Sequence, residues 1–266
     1  MFRARSVAVI GLALGIGAAA NSAANAAIVF NDSFTYPNGA LVGQGPWLQT
    51  GTTTTNPIQV ASNRVALMNT GQDAYAALTS PVAHTDGNSI YTCFNLNVSA
   101  ANAAGDYFLH LSDPVATTTN FYERVHVRSS GAGYQLGLVD TSGTGSTITY
   151  GGGVLNLNQD YFVVVAWNFV GGGTNNDTFA MYVDPTNPVE ALNSTYLTHT
   201  WTSATVEPAN QISAVNLRQG TAANAPTLTV DNLNVSTTFA EQVPEPASFA
   251  VAVLGGLALA ARRRKA

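Results

Sequence analysis

Cysteine, lysine and clustered positive charge are what this sequence lacks. Cys93 is the only cysteine, so no intramolecular disulfide forms and no cysteine-based metal site can be assembled. No lysine precedes Lys265, and between Arg5 and Arg262 the only cations are Arg64, Arg124, Arg128 and Arg218. All fifteen acidic residues lie between Asp32 and Glu245, which leaves the body acidic. Nucleic acid is disfavoured as a partner, because neutralising phosphates needs clustered Lys and Arg. Helical apolar stripes are almost absent and no fixed-period repeat is visible, which disfavours a solenoid or a propeller.

Catalytic signatures are missing as well. Glycoside hydrolysis needs two carboxyl groups about 5 to 10 Å apart, one protonating the leaving group and one attacking or activating water. Glu123, Glu190 and Glu207 are isolated in sequence and belong to no Glu-x-Asp-x-Glu run. His84, His110, His126 and His199 are scattered, without zinc spacing or a G-x-S-x-G elbow. The expectation is a non-catalytic protein without cofactor or metal. A divergent glycan-processing enzyme, whose acids meet only across strands, is the alternative.

What is present sits first at the two ends. Arg3 and Arg5 precede an apolar run from Val7 to Ala20, followed by Ala24-Asn25-Ala26 in an A-x-A pattern. Residues 1–26 therefore read as a signal peptide cleaved before Ala27. At the other end stand Val243-Pro244-Glu245-Pro246, an apolar run over residues 249–261, and the basic stop Arg262-Arg263-Arg264-Lys265. As a helix that run would reach roughly 20 Å against a ~30 Å hydrocarbon core, so it suits transient insertion better than lasting anchorage. Residues 241–266 resemble the PEP-CTERM sorting signal of Gram-negative bacteria. The resemblance implies recognition by exosortase, a membrane transpeptidase, cleavage near Pro-Glu-Pro, and a place at the cell surface or outside it. Relatives by that signal accompany exopolysaccharide and biofilm production.

Residues 27–240 read as one all-β domain. Ser89 to Val98 alternates with Ile90, Phe94, Leu96 and Val98 on one face. Asp106 to Asp113 sets Tyr107, Leu109 and Leu111 against Phe108 and His110. FYERVHVRSSG places Val125 and Val127 inward and turns into GYQLGLVD, a hairpin signal. Tyr161 to Val170 is a continuous apolar run, as a central strand covered on both faces requires. The pattern predicts two packed antiparallel sheets. The body resembles the concanavalin A-like jelly roll of lectin and laminin-G-like domains, through Phe30-Asn31-Asp32-Ser33-Phe34, YFVVVAWNF with its following glycines, NDTFAMYVDP and LTVDNLNV. That resemblance raises a calcium site at Asp32 and Asp231, but single aspartates are common turn residues and no metal is assigned.

One polar stripe stands out. Tyr122, Arg124, His126 and Arg128 alternate along one strand and are expected to project from a single face. Arginine forks suit carboxylates and tyrosine rings suit sugars, so the stripe is a candidate for gripping extracellular polysaccharide. The competing reading is an ordinary solvated strand face.

Overall fold

Alternating apolar and polar side chains resolve into sixteen strands in the computed structural model, which describes residues 27–68, 70–173 and 175–243. The first eight are β1 Ile28–Asp32, β2 Gly39–Ala40, β3 Leu48–Thr50, β4 Gln59–Ala61, β5 Arg64–Leu67, β6 Asp73–Ala83, β7 Ser89–Ala100 and β8 Asp106–Ser112. The second eight are β9 Phe121–Ser130, β10 Gly133–Val139, β11 Thr149–Tyr150, β12 Asp160–Asn168, β13 Thr178–Val183, β14 Leu197–Thr200, β15 Gln211–Leu217 and β16 Thr227–Ser236. Two short 3-10 turns, Glu190–Leu192 and Phe239–Glu241, are the only helical pieces among the described residues.

The strands pair antiparallel into two sheets packed as a sandwich. One has nine strands in the order β14-β13-β12-β7-β16-β5-β4-β2, with β1 beside β16. The other has seven, in the order β11-β10-β9-β8-β15-β6-β3. Ile90, Phe94, Leu96 and Val98 of β7 all point into the core, as their alternation requires. In β12, Val163, Val165 and Trp167 face the same core, while Val164 and Ala166 face outward beneath a second apolar cluster. Both faces of that strand are covered, which is why its sequence is apolar throughout.

Buried aspartates fix the aromatic part of the core. Asp32 accepts hydrogen bonds from Trp47 Nε1 at 2.7 Å, Tyr36 Oη at 2.7 Å and the Phe34 amide at 2.7 Å. Its carboxylate is spent on the core, and among the described residues no three His, Cys, Asp or Glu side chains gather as metal ligands. Asp177 does the same for Trp167 Nε1 at 2.8 Å, the Val170 amide at 2.9 Å and His84 Nε2 at 2.7 Å. A buried indole N–H needs such a partner, and an ionised acceptor makes the stronger bond.

The outer face of the nine-stranded sheet carries the end of the described chain. Phe239 packs edge-on against Tyr182 (5.1 Å between ring centres) and Tyr91 (5.8 Å). Gln242 donates to the Tyr91 carbonyl at 3.0 Å and Ser236 Oγ at 2.7 Å, and accepts from Cys93 Sγ at 2.7 Å. Val243 is buried in the same cluster. Packing thus continues through Gln242 and Val243, past residue 240. Burial pushes the Cys93 thiol up to about 12, so this free cysteine stays protonated and inert at neutral pH.

Two β-bulges shape the pairing of β8 with β9 in the seven-stranded sheet. Tyr122 pairs with Leu111 and Val125 with Leu109, so β9 spends one residue more than β8 over that interval. Glu123, with φ of 50°, is the extra residue. A second irregularity falls between Tyr107 and Leu109, where Phe108 and Leu109 both enter the core.

Candidate functional site

Three of the four arginines of the body converge on the outer face of the seven-stranded sheet. Arg124 and Arg128 project from β9 and Arg218 leaves the end of β15. The Tyr107 ring lies between two of them, with Arg218 Cζ 4.0 Å and Arg124 Cζ 4.8 Å from its centre. Arg124 also lies 5.6 Å from the Phe121 ring. Arg128 covers the Tyr150 ring at 3.7 Å and donates twice to Gln135 Oε1, at 3.1 and 2.9 Å. Tyr150 can lie flat on the sheet because Gly137 is beneath it; a Cβ there would come within 2.6 Å of the ring. Guanidinium over an aromatic face contributes from about 0.5 to 2 kcal/mol, more as water is excluded.

The fourth residue of the predicted stripe is elsewhere. The bulge at Glu123 turns Tyr122 and Glu123 inward together, so Tyr122 joins the core against Trp167 (5.9 Å) and Trp201 (6.2 Å). Arg124, His126 and Arg128 remain on the outer face. Tyr107 makes the opposite exchange: alternation sets it on one face with Leu109 and Leu111, yet those two enter the core while it stands outside beside His126 (5.4 Å) and His110 (5.6 Å). The face therefore keeps a tyrosine, supplied by a different strand. Sequence alternation misses Tyr107, Arg218 and His110, because each reaches the face through a bulge or a distant strand.

The histidines here are buried and neutral. Burial drives His110 well below the usual imidazole range, and the Arg124 and Arg218 charges push the same way. His126 falls to about 3, chiefly from burial, with Asp106 opposing and the two arginines assisting. No ring nitrogen of either histidine has a hydrogen-bond partner among the described residues.

The acids near this face are engaged. Asp106 pairs with Arg218 at 2.8 Å, and Asp73 accepts the Gln219 amide at 2.7 Å while burial raises its carboxyl to about 6. The three isolated glutamates occupy three different places. Glu123 is in the core, Glu190 accepts from the hydroxyls of Tyr91 (2.9 Å) and Tyr182 (2.8 Å) on the opposite sheet, and Glu207 is exposed in the loop after β14.

A hollow of about 240 Å³ opens beside this row, lined by Arg124 and His126 on the sheet and by Thr141, Ser142, Gly143 and Ser146 of the loop after β10. Asp140 stiffens that loop: it accepts the amides of Thr141 (2.7 Å), Ser203 (2.8 Å) and Thr202. Larger hollows, of about 440 and 300 Å³, flank the C-terminal strap on the other sheet.

The residues of the sorting motif beyond Val243, namely Pro244, Glu245, Pro246, the run 249–261 and the basic stop, lie outside the described residues, as does the N-terminal segment 1–26. Among the described residues no helix is long and apolar enough to cross a membrane.

Residues 242–265 match the PEP-CTERM protein-sorting motif. None of the curated proteins matches the chain. Among solved structures, the CBM2 module of the evolved Dit of Lactobacillus casei BL23 phage J-1 superposes with a TM-score of 0.51 at 10% identity, over 83% of this chain and 98% of that one. The endo-1,3-beta-glucanase of Streptomyces sioyaensis follows at 0.48 and 15% identity, over 80% and 96% of the two chains. Alginate lyase Aly36B superposes at 0.47 and 12% identity, over 79% and 97%. At such identities the likeness concerns fold alone. The chain carries a PEP-CTERM protein-sorting motif, which implies export, behind an antiparallel β-sandwich body structurally similar to jelly-roll, concanavalin A-like folds.

Proposed function

We propose that this is an exported protein of the cell surface or extracellular matrix whose sandwich binds exopolysaccharide without cutting it. Residues 1–26 are removed as a signal peptide, residues 27–240 form the binding domain, and an exosortase-type enzyme processes the tail while 249–261 sits transiently in the membrane. The observation that carries the binding reading is the gathering of Arg124, Arg128 and Arg218 with Tyr107 and Tyr150 on one sheet face of an otherwise acidic chain. Rings and forked cations together suit a polyhydroxylated, charged polymer. Support for binding over hydrolysis comes from the acids nearest this face: Asp106 is paired with Arg218, Asp73 holds the Gln219 amide, and Glu123 is buried in the core.

The test is fractionation of cells making the wild-type chain and a Pro244→Ala, Glu245→Ala, Pro246→Ala variant. The wild type is expected outside the cell, sedimenting with the polysaccharide and leaving its chain length unchanged. The variant is expected in the membrane fraction. Release of the variant in normal amounts removes the sorting reading, and shortening of the polymer replaces binding by processing.

A further inference from the structure

Arg124 differs from every other arginine of the described body in what it lacks. Arg64 holds Asp160 with two bonds of 2.7 and 2.9 Å. Arg218 holds Asp106, and Arg128 holds Gln135. Arg124 has no hydrogen bond or ion pair to any described residue, and its Nε is buried without a partner. Desolvation lowers its pKa, so the fold holds this cation at a cost. Its guanidinium packs on rings instead, 4.8 Å from the centre of Tyr107 and 5.6 Å from that of Phe121.

Two residues that line the hollow beside it carry further polar atoms in the same condition. Both ring nitrogens of His126 and the Ser146 hydroxyl are buried and unpartnered. Leaving a buried polar atom unmet costs about 1 to 3 kcal/mol, so several around one hollow point to a ligand that satisfies them. The chemistry of the set is selective. A guanidinium and a hydroxyl donate to a carboxylate, and a neutral imidazole donates from one nitrogen while accepting at the other. That last feature suits an anionic group with a sugar hydroxyl next to it. One cation without a second strong positive partner in the hollow matches a single negative charge.

We infer that this hollow is a subsite for the carboxylate of an acidic sugar residue, held by Arg124, His126 and Ser146. The inference rests on the reading of this face as polysaccharide-binding and narrows it to uronate-containing polymers. The loop wall, braced through Asp140 to residues 202 and 203, needs no ordering when the ligand arrives.

Binding is measured by titration calorimetry on the full chain in detergent, with polygalacturonate, its fully methyl-esterified form and the neutral glucan laminarin as probes. Polygalacturonate is expected to bind most tightly, and esterification to weaken binding at least about tenfold. Arg124→Ala is expected to cost a similar factor. Arg64→Ala, the same charge change on the other sheet, is expected to leave affinity within about twofold. Equal binding of the esterified polymer, or equal loss in both arginine variants, overturns the carboxylate subsite while leaving polysaccharide binding standing. Failure of all three probes to bind defeats both readings. If Arg124→Ala does not fold, Arg124→Lys and Ser146→Ala decide: each is expected to lose several-fold with unchanged circular dichroism, and wild-type affinity in both overturns the proposal.

Discussion

Glu123→Gln is expected to stabilise the protein, and to do so more strongly as pH rises. Glu123 is 0% exposed, sits at a bulge with φ of 50°, and neither carboxyl oxygen makes a hydrogen bond of ordinary geometry. Burial pushes its carboxyl well above the usual glutamate range, and the facing Thr92 hydroxyl opposes that shift only in part. The sign follows from proton counting. In the unfolded chain this glutamate loses its proton near pH 4.3, whereas in the folded chain it keeps it. The folded state then binds more protons, and stability falls as pH rises from the unfolded value towards the folded one. Over that window the loss is about 1.4 kcal/mol per pH unit. Glutamine is nearly isosteric with the protonated acid and leaves comparable polar atoms unmet, so wild type and variant should match near pH 4.5. Above it their stabilities should separate by about 1.4 kcal/mol per unit, or roughly 3 to 6 °C in Tm for a body of this size. Urea titrations at four pH values between 4.5 and 7.5 measure the gap directly. A gap that stays constant with pH would refute the reasoning, because it would mean that Glu123 titrates as if solvated.

The two outer-face histidines work in the opposite direction. Unfolded imidazoles take up a proton near pH 6.5, but folded His126 does so only near 3, so stability drops as pH falls through that window. Replacing His126 with Gln should flatten the acid limb by about 1.4 kcal/mol per unit, read from the same urea titrations; an unchanged limb counts against a buried neutral imidazole. Phe239→Ala should cost about 3 kcal/mol by vacating the space between Tyr91 and Tyr182, and should free Gln242 and Val243. Limited proteolysis then cuts the strap before the sheets unfold, and simultaneous cutting of both argues against a separately docked strap.

Much of the sandwich is legible in the sequence because side-chain period and burial agree along its middle strands. Alternation in β7 and the doubly apolar β12 fix which faces meet the core, and the Gly131 turn joins β9 to β10. The candidate face is legible only in part. Arg124, His126 and Arg128 follow the period of two, but Tyr122 and Tyr107 exchange faces where bulges shift the register by one. A bulge with glycine at its left-handed residue leaves a mark in the sequence. This one carries glutamate there, which costs backbone strain and leaves no such mark. Arg218 joins Arg124 only because β15 pairs with β8, a long-range choice that local pattern does not encode.

The strap that ends in Gln242 and Val243 also sets how the body bears load. If the chain is tethered through its C-terminal end, tension passes from the patch around Phe239 to the end of β16 at Ser236. That strand is laced along one edge to β7 and along the other to β5 and β1. Its hydrogen bonds run across the strand, so drawing it out lengthwise strains many of them together rather than one after another. The sandwich is thereby built to resist being pulled from the end that its sorting motif occupies.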